Sequence, residues 1–460
     1  MGREGAVVLD QSWNDIWKLY QTRTGACADA ERGEFGRIMF RRRRRHIFPP
    51  PLFDSLLVSE LAEASLSLVE LVRQIPHRFF DGDHAKWAEF LNLTKRERRL
   101  LTSMCDPRYI DLATQFARPD FLITESGLRL VEINISAAIG GMATCEPYFA
   151  SFKKTNYYRY LCEQGAAPAA FDVSEIWNAA LRPFTRVSNA VSHPVLFEAI
   201  ANADDVDASR HSFIQMANRG GFTVASGVIH ALRVSDDGVY LDNMPINAVY
   251  CMFTWDELRH HVPFSLIEQL VAADRAGLID FIAPPTSALF DNKANLELLT
   301  ADSHASRWSA SEQEIIRKYV PRTFRLSHDT HERALRDQDQ LVLKPACAYG
   351  GKGVVFGHEL SRAQWESRLN ASIFEPGGFV CQERVTGLWR HEVVDGDRRS
   401  DHFMSLGGMI FGGRYAGAFV RQVADQGEAP ILNAKQGAEV GAAIVDYRRA
   451  PAALQAMLTR

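Results

Sequence analysis

Residues 341–354 join a lysine to a glycine-rich turn. They read LVLKPACAYGGKGV, in which Lys344 closes an apolar run and Gly350, Gly351 and Gly353 surround Lys352. Glycines let backbone amides approach an anion, and with the two ammonium groups they predict a grip for a triphosphate. The loop matches neither the GxxxxGK[ST] nor the GxGxxG pattern, so a plain glycine-containing hairpin explains this segment equally well on its own.

A second set of polar residues lies on two neighbouring segments. Arg118 and Asp120 are two residues apart, as are Glu132 and Asn134, so each pair points to one face of a strand. The turn signal ESG at 125–127 predicts a β-hairpin that brings the pairs side by side. Carboxylate and amide oxygens suit Mg²⁺. An exposed ion pair is the alternative, but the apolar flanks favour burial, and a cation would offset the cost of buried carboxylates.

Three patterns predict the elements that surround these residues. In residues 1–105, apolar positions spaced three and four apart after Asp54 predict a helix, and a second helix is predicted through positions 87–101. Between 190 and 285, β-rich runs alternate with helical stretches, which predicts a separate βα layer. Further strands are predicted near 379–385 and 404–423, and an alanine-rich helix from about Gly437 onward.

Composition limits the classes of function. A chain of 460 residues, 46% hydrophobic and 23% charged, is that of an ordinary folded protein of about two to four units. A net charge of −4 gives no general field for nucleic acid or anionic lipid, and the arginine run at 41–45 is interpreted as a solvated turn rather than a phosphate contact. The seven scattered cysteines contain no CxxC pair. With no export signal and no apolar run of about 20 residues, a cytoplasmic protein without nucleic-acid or membrane partners is predicted.

Taken together, these motifs resemble those of ATP-grasp enzymes. The R-x-D and E-x-N pairs are similar to their metal-binding end, and LVLKP with its glycine loop is similar to their phosphate-covering loop. E-x-N precedes the glycine loop here, which is the order of the circularly permuted group that includes glutathionylspermidine synthase. The segment FDNKA at 290–294 resembles the asparagine–lysine helix start of that group. The likeness spans roughly residues 110–430.

The resemblance implies ATP and Mg²⁺ as cofactors and a role for each motif residue. Asp120, Glu132 and Asn134 would hold Mg²⁺. Arg118 would face the transferring phosphoryl group, and Arg421 the acyl-phosphate or the carboxylate substrate. Contacts with ATP would come from Lys293, Lys344, Tyr349, Gly350, Gly351, Lys352, Gly353, Gln382, Glu383, Arg384 and Val385.

The implied fold is α/β (α+β), an ATP-grasp fold in permuted order with a Rossmann-like pre-ATP-grasp domain. The expected units are a mainly helical region at 1–105, the metal-binding hairpin with helices at 106–189, a βα-layer substrate domain at 190–285, nucleotide-binding subdomains at 286–436 and a C-terminal helix at 437–460. Ser136, just past the metal-binding strand, is expected to contact substrate, with a loop-capping hydroxyl as the alternative.

The predicted activity is ATP-dependent formation of an amide or peptide bond through an acyl-phosphate. Its partners would be a small-molecule carboxylate and amine, either amino acids or specialised metabolites, and a homodimer is left open. A nucleotide-binding regulatory or scaffold protein with a degenerate ATP-grasp fold is one alternative. A phosphotransferase is the other, and amine-dependent ADP release separates it from a ligase.

Overall fold

The computed structural model describes residues 13–25, 35, 45–184, 195–201, 209–375, 377–395, 398–425 and 437–459. Helices and sheets are interspersed along these residues, so the predicted α/β class is confirmed. Positions 41–44 of the arginine run lie outside the described residues. None of the helices in the described ranges is long and apolar enough to cross a membrane.

The strands of the described residues are numbered here in chain order. They are β1 Leu52–Phe53, β2 Phe116–Thr124, β3 Gly127–Ile135, β4 Pro168–Ala169, β5 Val195–Ile200, β6 Thr223–Val228, β7 Leu232–Ser235, β8 Gly238–Leu241, β9 Met244–Ile246, β10 Ala248–Cys251, β11 Asp280–Ile282, β12 Thr323–Arg325, β13 Leu341–Pro345, β14 Val355–Phe356, β15 Phe379–Glu383, β16 Arg390–Asp395, β17 Arg398–Phe411, β18 Arg414–Ala424, β19 Glu439–Ala442 and β20 Ile444–Asp446. Three sheets matter for the site: β19-β18-β17-β2-β3 with β16 beside β17, β11-β10-β5-β6, and β12-β15-β13-β14.

Helices cover the sheets and connect them. The α-helices are Trp13–Thr24, Ser55–Phe80, His84–Phe90, Lys95–Ser103, Pro107–Ala113, Met142–Phe152, Asn156–Glu163, Val173–Leu181, Ser209–Arg219, Trp255–His261, Phe264–Arg275, Ser287–Asp291, Asn295–Thr300, Ala310–Tyr319, His328–Arg336, Arg362–Ile373 and Ala452–Leu458. Asp54 caps the predicted long helix by accepting hydrogen bonds from the amides of Leu56 and Leu57. The single helix predicted through 87–101 is wrong: it is two helices, because Thr94 and Glu97 form a capping box that starts the second one.

The large antiparallel sheet is built from segments that are far apart in the sequence. The predicted hairpin is confirmed as β2 and β3, with Asp120 opposite Glu132 and Arg118 opposite Asn134. Strand β17 pairs with β2 on one side and with β18, which carries Arg421, on the other. The hairpin and Arg421 therefore share one antiparallel sheet, and residues of the proposed 106–189 and 286–436 units contribute to it.

The predicted helix over 437–460 is wrong for most of its length. Strand β19 extends the large sheet beside β18, and β20 pairs with β1; among the described residues of this stretch, the α-helix is Ala452–Leu458, after one short 3-10 turn at Tyr447–Arg449. The small residues fit a packed sheet edge, since a Cβ at Gly441 would lie 2.9 Å from the Tyr148 ring. Alanine favours a helix locally, but the pairing of β19 with β18 and of β20 with β1 outweighs that local propensity here.

Within residues 190–285, where a βα layer is predicted, the described strands form a parallel sheet. Strands β5, β6, β10 and β11 all run in the same direction. In open sheets of this kind, ligands bind in crevices at the carboxyl ends of the strands. Those ends in β10 and β11 lie beside the last residue of β3.

The remaining four-stranded sheet has a hydrophobic core of its own. Leu343 of β13 and Cys381 of β15 pack there against Trp365 and Leu369 of the helix Arg362–Ile373. Because side chains alternate along β13, Leu343 points into this core and Lys344 points to the opposite face, toward the large sheet.

Candidate functional site

Charged side chains from distant segments meet where the large sheet faces β13. Glu132 is half-buried and the others are buried: Arg118, Asp120, Asn134, Lys293, Lys344 and Arg421. Two sheets and the segment between two short helices supply them. The structure therefore brings together the predicted metal-binding residues, both predicted catalytic arginines and two of the predicted ATP-binding lysines.

Asp120 is the centre of one half of this cluster. Its Oδ1 accepts hydrogen bonds from Arg118 Nε at 2.8 Å and from Arg421 Nη2 at 3.0 Å. Its Oδ2 accepts from Arg118 Nη2 at 2.9 Å and from Asn134 Nδ2 at 3.1 Å. Four donors fill the lone-pair positions of one carboxylate. Burial would raise the pKa of Asp120, but the two guanidinium groups outweigh it and hold that pKa below its ordinary value.

The arginines are fixed by close packing around Asp120. A Cβ at Gly407, which lies opposite Asp120 in β17, would approach Asp120 Oδ1 to 2.5 Å, so only glycine fits there. The Phe419 ring lies 5.6 Å from the guanidinium carbon of Arg118 and 5.5 Å from that of Arg421. Arg118 Nη1 also donates to the Gly140 carbonyl. The buried Arg421 Nε has no acceptor among the described residues.

Lys293 is held at the break between the helices Ser287–Asp291 and Asn295–Thr300. Its Nζ lies 3.2 Å from Glu132 Oε2 and donates to the Ala348 carbonyl at 2.7 Å. Its backbone amide donates to the Ala346 carbonyl at 3.0 Å, which attaches this break to the start of the glycine loop. Burial lowers the pKa of Lys293, but the charges of Glu132 and Asp291 outweigh burial and leave that pKa raised.

Lys344 has neutral hydrogen-bond acceptors only. Its Nζ donates to Gln382 Oε1 at 2.6 Å and to the Val131 carbonyl at 3.1 Å. Burial lowers the pKa of Lys344 to about 8, with Glu132 opposing this change and Lys293 adding to it. Gln382 is itself fixed, because its Nε2 donates to Thr323 Oγ1 at 3.1 Å. Gln382 thus positions the lysine from the strand that was expected to contact adenine.

A buried acid that the sequence interpretation did not single out adjoins Lys293. Asp291 Oδ1 accepts a hydrogen bond from the Ile135 amide at 3.1 Å, and its carboxyl is hydrogen-bonded to the Tyr349 hydroxyl. Burial raises the pKa of Asp291 to about 6, against the opposing charge of Lys293. Burial also raises the pKa of Tyr349. The sequence signal for this acid is its position in the FDNKA segment at 290–294, two residues before Lys293.

The glycine loop has the backbone conformation that its sequence suggests. The φ values of Gly350, Gly351 and Gly353 are 68°, 76° and 71°, which residues other than glycine rarely adopt. A Cβ at Gly353 would also lie 2.8 Å from Pro345 Cγ. Lys352 is exposed, in contrast to the buried Lys344.

The segment after β15 offers little of its backbone to a ligand. The Glu383 amide donates to the Arg322 carbonyl and the Arg384 amide to the Gln340 carbonyl, both at 2.7 Å. The Glu383 side chain is exposed. Val385 is the first residue in this segment whose amide has no acceptor among the described residues. Val385 is one of the residues predicted to contact adenine, and its backbone amide is free to donate a hydrogen bond to a ligand.

A small cleft opens beside the cluster. It lies between the carboxyl ends of β10 and β11 on one side and Ile135, Ser136 and Tyr349 on the other. Ser136 Oγ accepts a hydrogen bond from the Ala138 amide at 3.0 Å, so it has the loop-capping role while also lining the cleft. Sequence interpretation missed Trp255 and Leu258 of this cleft, although their place after β10 marks the ligand-binding end of a parallel sheet.

The hairpin offers two oxygen atoms that fit Mg²⁺. Glu132 Oε1 and Asn134 Oδ1 accept no hydrogen bond from any described residue, whereas every lone pair of Asp120 is engaged. The described ranges contain no group of three or more His, Cys, Asp or Glu placed to hold a metal ion. Of the three predicted metal ligands, Glu132 and Asn134 therefore fit without rearrangement.

Comparisons with known proteins found matches among solved structures but not among family models or curated proteins. No family model matches the chain, and no curated protein matches it. A solved structure from Methylobacillus flagellatus KT, described as a "putative gamma-glutamylcysteine synthetase", is 12% identical, and the match covers 84% of this chain and 87% of that one with a TM-score of 0.44. At that TM-score the likeness carries no argument about fold or chemistry.

Proposed function

We propose that this chain is an ATP-dependent ligase that joins a carboxylate to an amine through an acyl-phosphate. The observation that carries the proposal is the meeting of Lys293, Lys344 and Glu132 beside a glycine loop, from three segments far apart in sequence. The resemblance of those segments to permuted ATP-grasp motifs supports it. The cluster combines cations for a nucleotide with oxygen ligands for a metal ion, which are the parts that phosphoryl transfer requires.

The charge of the cluster supports an anionic ligand. Its four cationic groups are Arg118, Arg421, Lys293 and Lys344. Facing them are the carboxyl groups of Asp120, Glu132 and Asp291, and burial raises the pKa of Asp291 to about 6. A buried excess of positive charge is unfavourable without a counter-ion, so the phosphates of ATP would complete the site.

Each residue has a proposed role in positioning the reactants. Lys293 and Lys344 bind the nucleotide phosphates, and Gln382 keeps the Lys344 ammonium directed toward them. Arg118 and Arg421, held in place by Asp120, face the transferring phosphoryl group and the acyl-phosphate. These groups act by fixed charge and orientation, which require no reorganisation during the reaction.

Glu132 and Asn134 would hold Mg²⁺, which when bound supplies positive charge to the oxygens of the transferring phosphoryl group. Asp120 would also bind Mg²⁺, on one condition. Because four donors saturate it, Arg421 or Arg118 must first turn away to a ligand oxygen. Arg421 is the better candidate, since it contributes one of these four bonds and Arg118 contributes two.

The proposed reaction has two steps. A carboxylate oxygen of the substrate attacks the γ-phosphorus of ATP, the bond to the bridging oxygen breaks, and ADP leaves. The amine then attacks the acyl carbon, phosphate leaves with the carbon–oxygen bonding pair, and the amine proton passes to solvent. The glycine loop around Gly350, Gly351 and Gly353, with Tyr349 and Lys352, would close over the phosphates, because water would hydrolyse the acyl-phosphate.

We propose that each predicted segment supplies a different part of the site. Residues 106–189 supply the metal-binding hairpin, 190–285 the substrate-binding layer and 286–436 most nucleotide contacts. Adenine would lie beside the segment 382–385, with the free Val385 amide as donor and with Glu383 and Arg384 near it. Residues 1–105 would support the sheet.

The experiment is a screen for ADP release over pairs of carboxylates and amines, with product mass as the second readout. A ligase releases ADP only when both substrates are present and yields their condensed mass. A phosphotransferase would release ADP without an amine and yield a phosphorylated product, which would overturn the proposal.

A binding-only protein is the second candidate, and one observation favours it. Asp120 is fully occupied by Arg118, Arg421 and Asn134, as expected of a structural ion-pair network. Tight ATP binding measured by calorimetry, without ADP release from any pair in the screen, would establish that candidate instead of the ligase.

A further inference from the structure

The cleft beside the cluster has walls without charge. It is formed by Phe253, Leu258, Pro285 and Ala288 together with hydroxyl-bearing residues, and none of the residues that line it has a charged side chain. Its far wall is Tyr349, whose ring lies 5.8 Å from Lys293 Nζ. An apolar cleft thus opens directly next to a buried group of cations.

One polar atom in the cleft wall has no partner in the part of the chain that the structure describes. The indole of Trp255 is buried, and its Nε1 has no hydrogen-bond acceptor there. By contrast, the indole nitrogens of Trp87, Trp308 and Trp365 donate to acceptors at 3.0, 3.1 and 3.0 Å. Buried donors are almost always paired in folded proteins, so an orphan donor in a cleft wall points to an acceptor on a ligand.

The backbone at the rim of the same cleft is strained. Ala283 follows β11 with φ of 50°, in the left-handed region that residues with a Cβ seldom adopt. Such residues persist only where the surrounding structure forces them, and they concentrate at ligand-binding sites. Ala283 therefore supports, independently of Trp255, a binding role for this end of the parallel sheet.

We propose that this cleft binds the body of the carboxylate substrate, and that this body is small, uncharged and mainly apolar, with one hydrogen-bond acceptor for the Trp255 indole. The inference rests on the proposed function, which places the carboxylate at the adjoining cations. It adds the class of acid that the enzyme accepts: an amino acid or acyl compound with an apolar side chain.

A charged side chain is disfavoured by the same walls. It would lose its hydration in the cleft and meet no opposite charge among the lining residues, and the adjoining cations are already assigned to the substrate carboxylate and the phosphates. The enclosed room in the cleft is also small, so large acids are disfavoured.

The test measures binding separately from turnover. N-acetyl-L-leucine and N-acetyl-L-glutamate are matched probes, because each has one α-carboxylate and one amide acceptor, and only the glutamate derivative has a second carboxylate, on its side chain. Their dissociation constants would be measured by saturation-transfer NMR in the presence of ATP analogue and Mg²⁺. We expect N-acetyl-L-leucine to bind at least tenfold more tightly. Equal binding, or tighter binding of the glutamate derivative, would overturn the inference.

Two variants tie the binding to the cleft. Trp255→Phe removes the orphan indole donor and keeps an aromatic ring at this position. N-acetyl-L-leucine should therefore bind about five- to tenfold more weakly, while ATP binds normally. Trp308→Phe makes the same change where the indole is paired, and it should lower the melting temperature without affecting the probe. If Trp255→Phe fails to fold, Ala288→Leu, which fills the cleft, should abolish probe binding. An unchanged affinity in these cleft variants would contradict the proposal.

ADP release separates this inference from the proposed function. Probe binding that Trp255→Phe weakens, without ADP release from any acid and amine, would overturn the ligase proposal and leave the cleft assigned. ADP release with charged acids only would support the ligase and overturn the substrate class.

Discussion

The guanidinium pair and the ammonium pair of the site differ in how their charge is balanced. Arg118 and Arg421 share Asp120, whose four lone-pair positions they and Asn134 fill. Lys293 has Glu132 at 3.2 Å, whereas Lys344 has only neutral acceptors and a pKa that burial lowers to about 8. One half of the cluster is complete without a ligand, and the other half is not.

This difference indicates which groups should respond to a ligand and which should respond to folding. Charges that are already paired mainly stabilise the native state, and removing one partner leaves the other buried and uncompensated. Charges held by neutral acceptors gain more when an anion arrives. Substitutions in the two halves should therefore have different effects on stability and on nucleotide affinity.

The largest effect is expected for Glu132→Gln, which keeps the size of the side chain and removes its charge. If this residue holds Mg²⁺ and balances Lys293, amine-dependent ADP release should fall at least a thousandfold, about 4 kcal/mol of lost transition-state stabilisation. ATP affinity should change less than tenfold. Glu125→Gln, at the exposed turn of the same hairpin, is the matched control and should retain full activity. Near-normal turnover of Glu132→Gln would mean that the hairpin is structural.

Asp120→Asn should affect folding more than nucleotide binding. It removes the counter-charge of two buried guanidinium groups but keeps the shape and some acceptors, so the free energy of unfolding should fall by about 3 kcal/mol. Denaturant titration measures this change. A loss below about 1 kcal/mol would show that Asp120 does not balance the charges of the two guanidinium groups in the ligand-free protein.

Lys344→Ala should weaken ATP binding and leave folding nearly intact. Loss of one charge-assisted hydrogen bond is about 1.5–3 kcal/mol, so the dissociation constant should rise roughly ten- to a hundredfold. Calorimetry would measure this, with Lys352→Ala at the exposed loop position as the control, expected to change affinity less than threefold. Equal effects at the two positions would refute the assignment of Lys344.

The smallest effect is a dependence of ATP affinity on pH. Because burial lowers the pKa of Lys344 to about 8, the free protein loses this charge as pH rises through that value, whereas an ordinary lysine would keep it. Affinity should therefore be nearly constant below pH 7 and fall about tenfold between pH 7 and 9. Lys344→Ala should lack this dependence. A wild-type protein with equal affinity at both pH values would contradict the interpretation of the ammonium half.

Local sequence signals predicted the parts of the site that depend on one segment. Alternation around 118–134 predicted the hairpin, and the glycines after Lys344 predicted the turn conformation. Saturation of Asp120 was not predictable, because it depends on Arg421 arriving through β17 and β18. The strands at 439–446 were missed for the same reason, since their partners lie in β18 and β1. The cleft was missed because an orphan indole donor is a property of packing and leaves no mark on the sequence.

The place of β17 in the large sheet has a consequence for biosynthesis. Leu122 of β2 pairs with Ser405, so one edge of the hairpin stays unpaired until β17, almost three hundred residues later, has left the ribosome. Open edges of apolar strands are templates for association with other chains, and pairings this distant form slowly. Fragments that end before β17 should therefore aggregate during synthesis. The site itself cannot assemble before Arg421 is made and paired with Val440, so a nascent chain acquires its chemistry only after β19 has been synthesised.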